Sequence, residues 1–176
     1  HGEPITDPEL IRSEFHLLAD ALEHIIDHVV DGLNRRLRKD LIVDTLDWPE
    51  RFADHPTLAI QYVTPGDIAR MVIKRWTGWW DDIPSHWSPA PLVEQAATIV
   101  DLAGGLGPLV ARARSLVDAD VAQACHLADW AWYADPHHPD VQQLVVDAYT
   151  ARVMDPASNT QEILVYLDQA AAARAL

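Results

Sequence analysis

Between two helical patterns the chain reads Arg75-Trp76-Thr77-Gly78-Trp79-Trp80-Asp81-Asp82-Ile83-Pro84-Ser85-His86-Trp87-Ser88-Pro89, and this aromatic connector (residues 75–89) contains four of the seven tryptophans. Gly78 is expected to end the preceding helix, because glycine costs about 1 kcal/mol relative to alanine in a helix interior. Pro84 and Pro89 cannot continue a helix and push the residues before them toward extended backbone. We therefore expect an irregular segment whose indole rings pack against the rest of the domain.

A long amphipathic helix is predicted at the N-terminal end. The start Thr6-Asp7-Pro8-Glu9 combines a cap candidate, a proline near the first helical position and an acid in the first turn. Apolar residues then recur every three or four positions from Phe15 to Leu37. A helix of about thirty residues would reach roughly 45 Å at 1.5 Å per residue, which suits an arm that packs on a neighbouring domain or subunit. Gly32 is a candidate break in it.

Further helices are predicted where apolar periodicity lies between prolines, glycines and cap residues. They cover Lys39–Leu46, Gly66–Trp76, Pro91–Ala103, Leu106–Val117, Asp120–Ala134, Pro139–Met154 and Thr160–Ala175. The segment 50–64 is ambiguous and no segment has the pattern of a strand, so the predicted class is all-α, built from antiparallel helical hairpins. Ala124, Ala131 and Pro136 have the spacing of the second helix of a tetratricopeptide repeat, which predicts tetratricopeptide-like hairpins in the C-terminal half.

Composition excludes several classes of partner. The 176 residues carry a formal net charge of −14, with a sequence pI near 4.8. Nucleic-acid binding is not expected, because it needs a basic surface that neutralises phosphates. The sequence has no apolar stretch near eighteen residues, so no membrane insertion is expected. Its single cysteine, Cys125, excludes an internal disulfide and leaves the compartment open.

His24, Asp27 and His28 form the strongest candidate constellation, because residues i, i+3 and i+4 share one face of a helix. His-x-x-Glu-His is a zinc-enzyme pattern, but here the acid is the shorter aspartate. The three residues also lie opposite the apolar stripe, so a solvated or subunit-facing polar surface is favoured over a metal site. His86, beside Trp87, is interpreted as a packed histidine of the connector, with a pocket-lining role as the alternative.

The connector also resembles a known family. Its core Gly78-Trp79-Trp80-Asp81-Asp82-Ile83-Pro84, followed by Ser88-Pro89-Ala90-Pro91, is similar to a connector of alkylsulfatases, in the helical dimerisation domain after their metallo-β-lactamase-type catalytic domain. Asp82 and Ile83 depart from the glycine and asparagine of the family pattern. The stretch 24–28 resembles a helix that reads tyrosine-isoleucine-histidine-aspartate-glutamine in the family, which is a non-metal interpretation of the histidine pair.

The resemblance implies a homodimer, formed through the long first helix, whose helices also line the substrate channel of a longer parent enzyme. Asp67 stands where the family pattern has a histidine that contacts sulfate, and a carboxylate there would repel a sulfate ester. The interface or channel candidates are Tyr62, Asp67, Trp76, Trp79, Trp80, His86, Trp87, His24, Asp27 and His28.

The opening His1-Gly2 resembles the loop that supplies the last zinc-binding imidazole in many metallo-β-lactamase-fold hydrolases. Together with the start at His rather than Met, it indicates a piece of a longer protein. We expect residues 1–5 to be the tail of the catalytic domain and residues 6–176 to be the helical dimerisation domain. One imidazole cannot hold a catalytic zinc, so the chain alone is expected to be inert and to hold no cofactor, with zinc in the parent.

Two other hypotheses stay open. The chain could be a free-standing tetratricopeptide-like adaptor that binds a protein partner, or a helical metalloenzyme that uses His24, Asp27 and His28. Light scattering with metal analysis separates the three. A dimerisation domain predicts a dimer without stoichiometric zinc, an adaptor predicts a monomer, and a metalloenzyme predicts bound metal.

Overall fold

The computed structural model describes residues 4–176, and every regular element within that range is a helix. The nine α-helices are α1 Pro8–Asn34, α2 Lys39–Asp44, α3 Glu50–Ala53, α4 Pro65–Thr77, α5 Leu92–Leu102, α6 Leu106–Leu116, α7 Val121–Ala134, α8 Pro139–Met154 and α9 Thr160–Ala175. Short 3₁₀ turns lie at Pro56–Leu58 and Pro84–His86. The predicted all-α class and the long N-terminal helix are confirmed.

Helix α1 begins as its sequence predicts and ends earlier than expected. The Asp7 carboxylate accepts hydrogen bonds from the N–H groups of Glu9 and Leu10, at 2.9 and 3.4 Å. At the other end Arg36 takes a left-handed backbone (φ 57°), and the Leu37 N–H donates to the Gly32 carbonyl at 3.0 Å. This bond closes the helix in the manner of a Schellman motif. Because no glycine marks the turn, the apolar pattern continues past the true end of the helix.

The chain separates into two compact units, which we call unit 1 (up to Trp87) and unit 2 (Ser88–Leu176). In unit 1 the C-terminal half of α1 packs with α2 and α4. The fully or nearly buried residues of this core are Ile25, Val29, Ile42, Ala69 and Ile73. Gly32 is not a break in α1 but a close contact, since a Cβ there would lie 2.7 Å from Cγ1 of Ile42.

Unit 2 packs α5 to α9 around one continuous core. Neighbouring helices contact each other from α6 to α9, and α5 also packs on α7. Helix α7 presents Ala124, Ala128 and Ala131 to its neighbours, all fully buried. Small side chains at these positions allow the helix backbones to approach closely. Cys125 is also buried, and burial raises the pKa of its thiol to about 11.

A polar network closes unit 2 at the junction of α8 and α9. Arg152 donates to Asp155 at 2.9 Å and to Glu162 at 2.6 Å. Asn159 caps α9 by accepting the Glu162 N–H at 3.0 Å, and Glu162 accepts the Asn159 N–H in return. This reciprocal capping box fixes the start of α9.

Within residues 4–176 no single helix has the length and apolar composition needed to span a membrane. Helices α5 and α6 meet those two criteria only when taken as a pair, and they are bent by 87° at the break between them.

Candidate functional site

The aromatic connector begins where Gly78 ends α4 with a positive φ of 83°. The Trp87 ring centroid lies 5.4 Å from that of Trp79 and 5.5 Å from that of Trp80. Only Trp80 is half-buried, while Trp79 is 65% exposed and Trp87 61% exposed. The expectation that the indoles pack against the rest of the domain is therefore wrong for Trp79 and Trp87, which stack mainly within their own cluster.

A lysine, rather than the indoles, ties the connector to the helices of unit 1. Lys39 at the start of α2 is only 11% exposed, donates to the Trp80 carbonyl and lies 3.3 Å from the Asp82 carboxylate. Its ammonium is also 5.9 Å from the Trp80 ring centroid, within cation–π range. The Trp80 indole N–H donates to the Ile83 carbonyl at 3.0 Å, which fixes the ring.

His86 is paired with Asp81 and is not a packed histidine. Its Nδ1 lies 2.6 Å from one carboxylate oxygen of Asp81, and the other oxygen accepts the Ile83 N–H at 3.1 Å. The hydrogen bond with His86 is the main cause that lowers the pKa of Asp81 below its ordinary value. About half of the His86 side chain is exposed, because the connector turns it away from the core.

The connector, α2 and α4 surround a half-open cavity of about 670 Å³ within unit 1. Its apolar wall consists of Val43, Ile73, Trp79, Trp80, Ile83 and Pro84. The remaining lining is largely charged and includes Lys39. A partly apolar concave site of this size, with a few convergent polar groups, is typical of small-molecule binding sites.

His24 and His28 bind backbone carbonyls instead of solvent. Their Nε2 atoms lie 2.7 Å from the Asp47 carbonyl and 2.8 Å from the Ile42 carbonyl, respectively. The expectation of a solvated polar surface is therefore wrong for both histidines and holds for exposed Asp27. The Ile42 carbonyl is one of the last carbonyls of α2, which have no partner within the helix, and the Asp47 carbonyl lies in the loop after α2.

In the described part of the chain, no group of three or more histidine, cysteine, aspartate or glutamate side chains is placed to hold a metal ion. His24, Asp27 and His28 do not form one. His1, the predicted zinc ligand of the parent, lies outside the described residues.

Asp67 forms hydrogen bonds and an ion pair at the start of α4. Its carboxylate accepts the Thr64 N–H at 2.8 Å and pairs with Arg70 at 3.0 Å, while its own N–H donates to the Thr64 hydroxyl. Partial burial raises the pKa of Asp67, but the bonds with Thr64 and Arg70 outweigh it, so the pKa is lowered. Tyr62 and Trp76 are each about half-exposed, before and at the end of the same helix.

The structure thus brings Trp79, Trp80 and Trp87 together in one cluster. Sequence reasoning missed Lys39, which precedes Trp80 by 41 positions and looks like an ordinary first residue of a helix. The one available signal was Asp82, which departs from the family pattern and supplies the carboxylate near Lys39.

The fold of the chain is that of a helical domain found in alkylsulfatases. A solved structure of the stereoselective inverting sec-alkylsulfatase Pisa1 from Pseudomonas sp. matches with a TM-score of 0.90 and 22% identity. The match covers 99% of this chain and 28% of that chain. A double mutant of the same enzyme gives the same values. At this identity the likeness establishes the fold.

The chain belongs to the alkyl sulfatase dimerisation family, whose model matches residues 39–175. It is 27% identical to a linear primary-alkylsulfatase of Pseudomonas sp. over 136 residues, which is 77% of this chain and 24% of that protein. It is 24% identical to the alkyl/aryl-sulfatase BDS1 of Saccharomyces cerevisiae over 149 residues, 84% of this chain and 23% of that protein. The chain thus spans about a quarter of the length of these relatives. Membership in a dimerisation family implies self-association.

Proposed function

We propose that residues 6–176 are the dimerisation domain of a longer, zinc-dependent metallo-β-lactamase-type hydrolase that cleaves sulfate esters. The observation that carries this proposal is the family match over residues 39–175. The names of the relatives support the substrate class, and the share of their length that is matched supports a longer parent. Residues 1–5 would then end the catalytic domain, with His1 as a zinc ligand there.

In this proposal the chain joins two copies of the enzyme and forms part of the channel wall, whereas the reaction centre lies in the catalytic domain. Its partners are a second copy of itself and its own catalytic domain. The zinc belongs to the parent, which would supply the remaining ligands, since a catalytic zinc takes about three protein side chains. The chain itself holds no cofactor in this assignment.

The dimer surface is proposed to be the exposed stripe of α1. Phe15, Leu18 and Leu22 follow helical spacing and are exposed, with Phe15 at 68%. On the neighbouring face, Ala21 and Ile25 are buried in unit 1. Burial of apolar surface stabilises association by about 25 cal/mol per Å². Two copies that pair through the same stripe make an isologous, two-fold interface.

The contact with the catalytic domain is proposed to involve the aromatic connector and the start of α4. Trp76, Trp79 and Trp87 expose large indole surfaces, which are enriched at protein interfaces. Tyr62 and Asp67 would line the channel beside them. Asp67 would weaken sulfate binding at that place through like-charge repulsion.

We also propose that unit 2 is a tetratricopeptide-like stack. Contacts between α5 and α7, and between α6 and α8, accompany those between neighbouring helices. Alanines at the helix contacts, such as Ala128 and Ala148, are fully buried. Both features suit hairpins that stack in one direction.

The test of dimerisation is light scattering of this chain at several concentrations, together with zinc analysis. We expect a dimer without stoichiometric zinc. Phe15→Asp should weaken the dimer by at least about a hundredfold, because it places a charge in an apolar interface. Leu102→Asp is the matched control, since Leu102 is 81% exposed on α5, and should leave the dimer unchanged. A monomeric wild-type chain would instead favour the adaptor hypothesis.

The substrate class is tested in the longer parent with alkyl sulfates. Asp67→His is expected to raise kcat/KM for a sulfate ester, because it replaces a repelling carboxylate by a donor. Asp67→Asn is the control that removes the charge and retains a side-chain acceptor for the cap. Activity that survives removal of the bound zinc by a chelator, or that is absent with every alkyl sulfate, would contradict the assignment.

A further inference from the structure

We propose that the cavity of unit 1 binds a neutral aliphatic molecule that carries one hydrogen-bond-accepting oxygen, such as a medium-chain alcohol. This inference is independent of dimerisation, because the cavity is formed within one chain by α2, α4 and the connector. It stands on three observations: the apolar wall, the pairing of the charged groups around it, and the surroundings of the Lys39 ammonium.

The apolar wall can take an aliphatic body. The Trp80 ring is held by its own N–H bond to the Ile83 carbonyl, so this wall is largely fixed before a ligand arrives. Val43 and Ile73 add aliphatic surface from α2 and α4. A preorganised apolar wall favours a flexible chain of methylenes, since each buried methylene contributes about 0.8 kcal/mol.

The charged lining favours a neutral ligand. Four cationic and four acidic side chains surround the cavity, so its lining has no formal net charge. Among them, Arg38 pairs with Asp40, Lys39 with Asp82, and Asp81 with His86. Arg70 pairs with Asp67, just outside the lining. The other two, Lys74 and Asp44, are exposed and of opposite sign. An ion entering the cavity would therefore find no net opposite charge in the lining.

Lys39 provides the specific polar contact. An ammonium has three donors, and in the described structure those of Lys39 have two acceptors, the Trp80 carbonyl and the Asp82 carboxylate. The third donor is available at the edge of the cavity, beside the Trp80 ring. Because Asp82 already balances the charge, a hydroxyl or ether oxygen satisfies this donor without desolvating a new ion.

The experiment uses this 176-residue chain with n-octanol, octanoate and octylammonium, which share one tail and differ in the head group. Isothermal titration calorimetry measures the affinity of each ligand. The NMR resonance of the Trp80 indole N–H, assigned with Trp80→Phe, shows whether the ligand binds beside Trp80. We expect saturable binding of octanol with a shift of that resonance, and at least about tenfold weaker binding of both ions.

Three variants locate the site. Lys39→Met should weaken octanol binding by about tenfold, because it removes the donor and retains the length of the side chain. Arg112→Met, which replaces an exposed cation of α6 outside the cavity, should bind octanol as the wild type does. Val43→Phe narrows the cavity at its apolar wall and should weaken octanol binding while Lys39 keeps its partners. It therefore tests the site without loosening the connector, as Lys39→Met could do.

Several results would overturn the proposal. These are the absence of saturable octanol binding to the wild type, tighter binding of either ion, and equal binding by Lys39→Met and Arg112→Met. Octanol binding by Val43→Phe as tight as that of the wild type would also overturn it. The dimer is tested by Phe15→Asp on α1, outside the cavity, so failure of either proposal is recognised separately.

Discussion

The two units of this chain combine apolar burial and side-chain bonds to backbone carbonyls in different proportions. Unit 2 contains fifteen of the twenty-two buried apolar residues of the described chain, and unit 1 contains seven. Unit 1 depends more on bonds from side chains to distant backbone carbonyls, made by His24, His28 and Lys39. In unit 2 a bond of this kind joins Arg114 of α6 to the Asp140 carbonyl of α8, at 3.3 Å. The difference shows how short helices are stabilised: α2 and α3 bury little apolar surface, so side chains from elsewhere must satisfy their carbonyls and those of the adjoining loops.

The two units also differ in how many aromatic side chains they expose. Of the six exposed aromatic side chains among the described residues, five lie in unit 1 and only Tyr133 lies in unit 2. Exposed aromatic groups are enriched at interfaces. We infer that unit 2 acts mainly as the rigid part, while unit 1 carries the contacts with other partners.

The largest expected effect tests the core of unit 2. Leu144→Ala should lower the free energy of unfolding by about 3 kcal/mol, because Leu144 is fully buried and the change leaves a cavity. Urea denaturation measures it. Leu102→Ala on exposed α5 should change the same quantity by less than about 0.5 kcal/mol. A loss below about 1 kcal/mol for Leu144→Ala would contradict a tightly packed unit 2.

A smaller effect tests the close contact in unit 1. Gly32→Ala should lower the free energy of unfolding by about 1–2 kcal/mol, although alanine favours helix, because its Cβ would clash with Ile42. Gly107→Ala in the first turn of α6 is the control, since outside its chain neighbours and its own helix backbone no atom lies within 4 Å of its Cβ position. It should change the free energy of unfolding by less than about 0.5 kcal/mol, because the following Pro108 offsets the helix preference of alanine. Thermal denaturation compares them. If Gly32→Ala does not lower the free energy of unfolding, α1 and α2 are less closely packed than the contact of Gly32 with Ile42 indicates.

The next prediction tests the hydrogen bond from a histidine of α1 to a backbone carbonyl of unit 1. His28→Ala should cost about 1 kcal/mol of unfolding free energy, because it leaves the Ile42 carbonyl without its donor. His16→Ala, exposed on the same helix, should cost almost nothing. Urea denaturation followed by circular dichroism gives both values. Equal values would mean that the carbonyl bond adds nothing to stability.

The smallest expected effect is a pH dependence of the connector. The pKa of Asp81 in the folded chain lies below its ordinary value of 3.8, so its contribution is present above the unfolded pKa. That contribution is lost as pH falls through the folded pKa. Tryptophan fluorescence below pH 4 should report loosening of the connector at a pH below that of a free aspartate. Asp81→Asn should remove this transition, and an unchanged transition would assign it to another group.

Local signals made much of the fold predictable. The starts of α1, α4 and α9 follow cap residues that bond to backbone within a few positions, namely Asp7, Thr64 and Asn159. The candidate site was less predictable. His24 and His28 were found for their spacing, but their acceptors lie 23 and 14 positions away and left no pattern.

The sequence by itself determined the helices, the acidic character and the family likeness, because periodicity, capping and composition act over a few residues. Only the tertiary structure decided the end of α1 at Asn34, the contact of Gly32 with Ile42 and the bond of Lys39 to the connector. These features depend on which surfaces meet after the chain folds back. A contact between residues 41 positions apart is set by the packing of whole helices, which no local pattern encodes.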